Sequence, residues 1–117
     1  MKHPRTIAVA TLMLLACNST WASEWWRTNE KIVAVMSISG VRPASIASQN
    51  YVRITLAPAA WGSSTCNQQF ADISKTDSQL TALLYTAYAL GKAVSIGVDD
   101  TRISVADICI VSALQVQ

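Results

Sequence analysis

Histidine is almost absent from this chain of 117 residues, because the single one, His3, lies near its start. We expect the segment that holds it to be removed on export, which leaves no imidazole for a metal site or a catalytic triad. Cysteine is scarce as well, and only Cys66 and Cys109 lie outside that segment. Two thiols in an exported chain are typical of a disulfide rather than of catalysis. We therefore expect neither an enzyme nor a metal or cofactor site.

The chain also lacks an apolar run long enough to cross a membrane. The longest one, Ile7–Ala16, falls short of the about 20 residues that a transmembrane helix needs. Basic residues precede it and small residues follow it, which predicts a signal peptide over residues 1–22. The stretch LLAC that ends at Cys17 also resembles a lipobox, in which that cysteine would carry a lipid. The expected location is therefore secreted or periplasmic, or anchored at Cys17.

Charge is sparse, at 14% of the residues. Of nine basic residues, Lys2 and Arg5 fall in the predicted signal peptide, which leaves seven basic against seven acidic residues. No run of Lys or Arg remains that could follow a phosphate backbone, so we do not expect nucleic acid as a partner. A nearly neutral surface protects poorly against self-association, which favours a homo-oligomer.

Residues 23–117 are enough for one domain and contain no linker or repeat. With Cys17 removed or lipidated, Cys66 and Cys109 form the only possible intramolecular pair. The sequence therefore predicts a disulfide between them. Closing a loop of this length should stabilise the fold by roughly 4 kcal/mol.

Alternating apolar residues predict five strands. The predicted strands cover residues 32–39, 51–56, 67–73, 94–98 and 108–116. A helix is predicted from Asp77 to Leu90, because Thr76 and Gln79 form a capping-box pattern and Gly91 supplies a stop. The acidic pair that begins at Asp99 is predicted to lie in the loop between the last two strands.

The predicted helix is unusual on the side that faces away from the core. We expect its apolar stripe, Leu80, Leu83, Leu84, Ala87 and Leu90, to cover the sheet. No charged residue occurs between Asp77 and Lys92, although an outer helix normally carries several. The outward positions predicted to contact another subunit are Ser78, Ala82, Tyr85 and Ala89. The alternative is a helix buried within its own monomer.

The order of three strands, one helix and two strands is that of an OB-fold, a small barrel of five strands. With this order, the chain resembles the secreted B subunits of bacterial AB-type toxins. The resemblance also rests on Cys66 before the helix, on the helix Asp77–Leu90 followed by GKAVSI, and on the late strand around Cys109. The resemblance is in particular to the B subunits of the subtilase-cytotoxin and pertussis-like group. The expected fold is thus α+β, mainly β: an OB-like antiparallel barrel with a helix between strands 3 and 4 and one disulfide.

The resemblance implies a non-catalytic binding subunit that forms a ring, for instance a pentamer, and binds a host glycan or a partner protein. It also implies that a toxin A subunit could accompany it. A different class stays open, in which the chain is a monomeric envelope lipoprotein or a structural or inhibitory periplasmic protein.

Several side chains are candidates for a ligand site. Trp61, in a loop with Ser63 and Ser64, either stacks on a sugar or closes the open end of the barrel. Arg53, next to Tyr51 on a strand, either holds a sugar carboxylate or is simply solvated. Two further tryptophans, Trp25 and Trp26, are expected in a flexible N-terminal stretch, where they would contact a sugar or a neighbouring subunit.

Overall fold

The computed structural model describes residues 23–117, so the predicted signal peptide and Cys17 lie outside the described residues. The described part is mainly β, with one α-helix and a short 3₁₀ turn at Ile46–Ser48. In chain order the strands and the helix are β1 Glu24–Glu30, β2 Ala34–Ser37, β3 Tyr51–Thr55, β4 Phe70–Ser74, α1 Ser78–Ala89, β5 Val94–Ile103 and β6 Cys109–Val116.

The six strands form one sheet in the order β1-β5-β6-β4-β3-β2. Its two outermost members are β1 and β2, which follow one another in the chain with residues 31–33 between them. One extended segment, residues 24–37, therefore supplies both ends of the strand order. Four neighbouring pairs are antiparallel, whereas β4 and β6 are parallel.

The prediction of five strands was wrong, because the stretch that holds Trp25 and Trp26 is strand β1 rather than a flexible terminus. This strand bends before it ends: Arg27 pairs with Ile96 but Glu30 pairs with Val94. Three steps along β1 thus match two along β5, which is the signature of a β-bulge. The extra residue is accommodated at Asn29, whose φ is +53°.

The first predicted strand, over residues 32–39, is only partly confirmed. Ile32 and Ile38 are buried as expected, but Ala34 and Met36 between them are exposed. The observed strand β2 covers only Ala34–Ser37 and lies at one end of the sheet order. A short strand there needs no continuous apolar face.

The remaining strands match the predicted alternation more closely. In β3, Val52 and Ile54 are buried and the strand ends before the predicted Leu56. The third predicted strand begins three residues late, at Phe70, and β6 covers the predicted last strand. The loop predicted at Asp99 was wrong, because β5 continues to Ile103.

The turn between β5 and β6 occurs instead around Ala106 and Asp107. Both residues have positive φ, +49° and +59°, and the Ile108 amide donates to the Val105 carbonyl at 2.9 Å. Two consecutive positive φ angles describe the tight turn that suits a twisted hairpin. Sequence reasoning missed it because the usual glycine or asparagine is absent from these positions.

Helix α1 packs against β6 through a narrower apolar stripe than predicted. Leu84 and Ala87 are fully buried and Leu80 is half-buried, but Leu83 and Leu90 are exposed. Elsewhere the largest fully buried apolar side chains come mostly from strands, with Ile38, Leu56 and Trp61 from loops. The strand members include Ile54, Ile73, Val94, Ile96 and Val98.

The N-cap of α1 is Asp77, not the predicted Thr76. The Asp77 carboxylate accepts from the Leu80 amide at 3.3 Å, while the Thr76 hydroxyl is hydrogen-bonded to that of Ser74 at 2.9 Å. Aspartate is as good an N-cap as serine or threonine, and its charge also suits the positive end of the helix dipole. The helix therefore begins at Ser78, one residue later than it would with Thr76 as the N-cap.

Candidate functional site

The disulfide between Cys66 and Cys109 is confirmed, with an S–S distance of 2.02 Å and 5.5 Å between the Cα atoms. It ties the loop before β4 to the first residue of β6. Asn67 reinforces the same junction, because its amide donates to the Asp107 carbonyl at 2.7 Å and its side chain to the Ala106 carbonyl at 3.3 Å. The covalent staple thus fixes the β5–β6 turn against the β3–β4 loop.

Arg27 on β1 holds the same loop from the other side. The residue is 5% exposed, and its side chain donates to the backbone carbonyls of Ala57, Ala59 and Gln68 over 2.7–3.2 Å. Its Nε also donates to the Glu30 carboxylate at 2.9 Å. A buried guanidinium that satisfies three loop carbonyls has a structural role, and no signal in the sequence marks Arg27 for it.

Trp61 lies beneath that arginine and is fully buried. The Arg27 guanidinium carbon is 5.0 Å from the centre of its ring, and the indole Nε1 donates to the Asn67 carbonyl at 2.8 Å. Of the two predicted roles for Trp61, the structure places it in the core, so the indole offers no face to a sugar. Ser63 is exposed beside it and Ser64 is half-buried. We call the group of Arg27, Trp61, Asn67 and the Cys66–Cys109 bond the stapled end.

Arg53 is neither solvated nor open to a ligand carboxylate. Its Nε and Nη2 each donate at 2.9 Å to one oxygen of Asp72, the fully buried residue opposite it on β4. The hydrogen bond to Asp72 raises the pKa of Arg53 above its usual value. The Ser104 hydroxyl donates to the same carboxylate at 2.5 Å. Asp72 was missed because a single acid in an apolar strand does not reveal its partner.

The ligand residues predicted from sequence are not brought together. Tyr51 pairs with Ser74 at one end of β3, whereas Thr55 pairs with Phe70 at the other end, next to the loop that holds Trp61. Four residues of strand separate these ends by about 13 Å. The predicted sugar site built from both groups therefore does not form one surface within a single chain.

The helix does present the predicted uncharged surface. We call Ser78, Ala82, Tyr85 and Ala89 the helix outer face, and all four are exposed. On the flanks of this face, exposed apolar or aromatic side chains continue the surface: Leu83 at 37%, Tyr88 at 45% and Leu90 at 66%. Hydrophobic groups scattered singly are normal on a surface, but a helix that exposes this many without one charge is not.

The two adjacent tryptophans of β1 have different surroundings. Trp25 is half-buried, packs over Gly62 and donates from its Nε1 to the Asp100 carboxylate at 2.9 Å. Trp26 faces the other way, because successive side chains of a strand alternate between faces, and it is 43% exposed. Trp25 therefore belongs to the packing of the fold, while Trp26 is an open aromatic surface.

Trp26 is held in place by three neighbours on the outer face of the sheet. Its ring lies on Gly97, where a Cβ atom would approach the ring carbon Cε2 to 2.8 Å. Its Nε1 donates to Glu24 Oε1 at 2.7 Å, and the Ser112 hydroxyl donates to Glu24 Oε2 at 2.5 Å. We call these four residues, Glu24, Trp26, Gly97 and Ser112, the Trp26 platform.

The acidic pair of β5 is occupied by contacts within the chain. Asp99 accepts from the amide and the hydroxyl of Thr101 at 2.9 and 2.6 Å, and these bonds lower its pKa below the ordinary value. Asp100 accepts from Trp25 and from the amide of Ser23. The two carboxylates therefore fix local backbone and a tryptophan.

An open pocket of about 430 Å³ lies where the start of α1 meets β5 and β6. Its walls are mostly polar and come from Ser74, Thr76, Asp77, Ser78, Gln79, Arg102, Ile110 and Val111. Over residues 23–117, no buried side-chain nitrogen or oxygen atom lacks a hydrogen-bond partner. The pocket thus has no buried polar group waiting for a ligand.

Within the described range, no three His, Cys, Asp or Glu side chains lie close enough to hold a metal ion. None of the helices described there is long and apolar enough to cross a membrane. Comparison of the chain with known protein families, characterised proteins and solved structures finds no significant match. The candidate sites therefore rest on geometry alone: the helix outer face and the Trp26 platform.

Proposed function

We propose that this chain is an exported, non-catalytic binding subunit that associates with copies of itself through the helix outer face. The observation that carries the proposal is the uncharged, exposed surface of α1 described above. A helix on the outside of a monomeric protein normally carries lysine or glutamate at such positions, which keeps the protein soluble. Neither residue is present here.

Small side chains make the surface suitable for another helix. Ala82 and Ala89 lie seven residues apart, two turns along the same side of α1, and Tyr85 lies between them. Small residues let two helices approach closely, while a tyrosine supplies a large contact area. A second copy is the natural occupant, because an uncharged face is matched by another uncharged face and leaves no buried ion unpaired.

The sheet order supports an OB-like barrel as the form of each subunit. If β1 and β2 are taken as the two halves of one bent first strand, the order becomes first, fourth, fifth, third, second and first again. A strand order that returns to its start is the order expected of a closed barrel, and in this proposed numbering α1 lies between the third and fourth strands. This is the arrangement that the resemblance to toxin B subunits implies.

By the same resemblance, the assembly is proposed to be a ring, for instance of five copies, that binds a glycan or a partner protein outside the cell. An A subunit would dock on such a ring. The disulfide agrees with an oxidising compartment, because structural disulfides persist there.

The alternative function is that of a monomeric envelope lipoprotein or an inhibitory periplasmic protein. Lipidation at Cys17 would favour it, and the mass of the native N-terminal peptide distinguishes an acyl chain on Cys17 from cleavage before Ser23. In that case the helix outer face would remain in solvent.

Light scattering on the exported protein tests self-association. We expect a mass of several chains at micromolar concentration for the wild type. Ala82→Glu should reduce it to one chain, because a carboxylate would be buried without a partner in the contact. A monomeric wild type would contradict the proposal.

A matched control is Ala44→Glu, which places the same charge on an exposed alanine in the loop between β2 and β3. It should leave the mass unchanged. Equal loss of assembly in both variants would show that net charge, rather than the helix outer face, controls association.

A further inference from the structure

We infer that the Trp26 platform is a binding site for a neutral pyranose ring. This inference rests on the proposed function as a binding subunit and names the ligand class and the residues that contact it. Of the sugar-stacking candidates that the sequence suggested, Trp26 is the one left open, since Trp61 is buried and Trp25 is packed over Gly62; Arg53 is paired with Asp72.

The indole of Trp26 offers one free face. Its other face is covered, because the ring lies on the backbone at Gly97 so closely that a Cβ there would be 2.8 Å from the ring. Trp26 as a whole stays 43% exposed, and we assign this exposure to the opposite face and the outer edge of the ring. A flat, rigid aromatic surface of this kind packs against the apolar C–H side of a sugar ring.

Hydrogen-bond acceptors stand at the edge of that face. Each oxygen of Glu24 accepts one bond, from Trp26 or from Ser112, and keeps a further lone pair for a ligand hydroxyl. The Ser112 oxygen, whose hydrogen is committed to Glu24, can accept another. A stacked sugar with neighbouring hydroxyls can donate to these atoms.

The backbone is shaped to assemble these groups. Gly97 pairs with Ala113 and Val98 with Val111, so Ser112 is the extra residue of a β-bulge in β6. Ser112 is exposed, and its hydroxyl meets the Glu24 carboxylate across β5, while the missing side chain at Gly97 makes room for the Trp26 ring. Bulges often re-aim a side chain at a functional position.

The charge around the platform selects against acidic sugars. Glu24 is part of it, and Asp99 is the residue opposite Glu24 on β5, with Arg102 as the cation close to Asp99. A sugar carboxylate would lie against Glu24 and be repelled. A cationic ligand usually needs several aromatic faces, whereas the platform has one. The neutral pyranose is thus the class that the geometry favours.

The test is a titration of the exported, assembled protein with methyl glycosides of glucose, galactose, mannose and N-acetylglucosamine, each up to about 50 mM. The indole N–H resonances of Trp25, Trp26 and Trp61 are followed by NMR. We expect at least one sugar to shift the Trp26 signal in a saturable way and to leave the Trp61 signal in place. N-acetylneuraminic acid and choline should bind at least tenfold more weakly.

Three variants probe the platform. Trp26→Ala should weaken sugar binding by roughly tenfold or more, and Glu24→Gln by less, since an amide keeps one acceptor. Ser112→Ala removes an acceptor without altering the ring. Ile46→Ala, at an exposed apolar residue of the 3₁₀ turn, is the control and should bind as the wild type does.

The outcomes separate this inference from the proposed assembly. An oligomer in which no sugar shifts the Trp26 signal overturns the inference and leaves the assembly standing. A monomer that binds sugar at Trp26 overturns the assembly and leaves the site standing. Binding that shifts only the Trp25 or Trp61 signal also overturns the inference, as does a preference for choline or N-acetylneuraminic acid. These results come from the wild-type protein, so they do not depend on whether a variant folds.

Discussion

The stapled end and the helix outer face use their side chains in opposite ways. At the stapled end an arginine and a tryptophan are buried, and their polar atoms bind backbone carbonyls of the same chain. On the helix, a tyrosine and two alanines are exposed and have no charged neighbour on their own element. In the first region the hydrogen-bonding groups are satisfied within the fold. The second shows surface that the fold leaves uncovered.

This difference explains why residue type alone is a poor guide to which side chains stay open to a ligand. Trp61 and Arg53 are the types that bind ligands, yet both are held within the chain. The surfaces that remain open include Ala82 on α1 and the Trp26 ring on the outer face of the sheet. A search for function in a small domain should therefore subtract the groups that the fold already satisfies.

The largest effect is expected from removal of the staple. Replacing both Cys66 and Cys109 with alanine should lower the free energy of unfolding by about 4 kcal/mol, because the unfolded chain regains the freedom of a long loop. Urea unfolding of the variant and of the reduced wild type measures it. If the free energy of unfolding of neither the variant nor the reduced wild type falls by more than about 1 kcal/mol, the hydrogen bonds rather than the disulfide hold the stapled end.

A somewhat smaller loss is expected from Asp72→Ala. It leaves the Arg53 guanidinium and the Ser104 hydroxyl without their shared carboxylate, which should cost about 3 kcal/mol because the aspartate is fully buried. Ser104→Ala, which removes only one of the hydrogen bonds, should cost about 1 kcal/mol. Equal losses in the two variants, measured by urea unfolding, would show that the ion pair adds nothing.

The smallest effect should be a gain, from Ala106→Gly in the β5–β6 turn. Alanine at a φ of +49° is strained, and glycine relieves this strain, for a net gain of up to about 1 kcal/mol. Gly62→Ala is the opposite case, because its Cβ would meet the Trp25 ring at 2.5 Å and should destabilise the chain. Thermal unfolding of both variants compares them, and a loss in Ala106→Gly would contradict the strain.

Much of the scaffold was predictable from sequence because it follows periodicity. The alternation of Val52 and Ile54 located β3, and the capping pattern at Thr76 and Gln79 with the stop at Gly91 located the helix to within one residue at each end. The disulfide followed from there being only one pair of cysteines in the expected mature chain.

The missed features depend on partners far away in sequence. Strand β1 contains Arg27, whose burial makes sense only once the carbonyls of Ala57, Ala59 and Gln68 surround it. The Trp26 platform likewise joins Glu24 to Ser112, 88 residues away. Local patterns carry no information on such contacts.

Salt provides the most direct test of the central claim that the helix outer face is a contact between copies. Sedimentation velocity of the protein is compared at about 0.05 M and about 0.5 M salt. An uncharged contact predicts the same mass, larger than one chain, under both conditions. A single chain at both salt concentrations, or an assembly that dissociates at the higher one, would contradict the account.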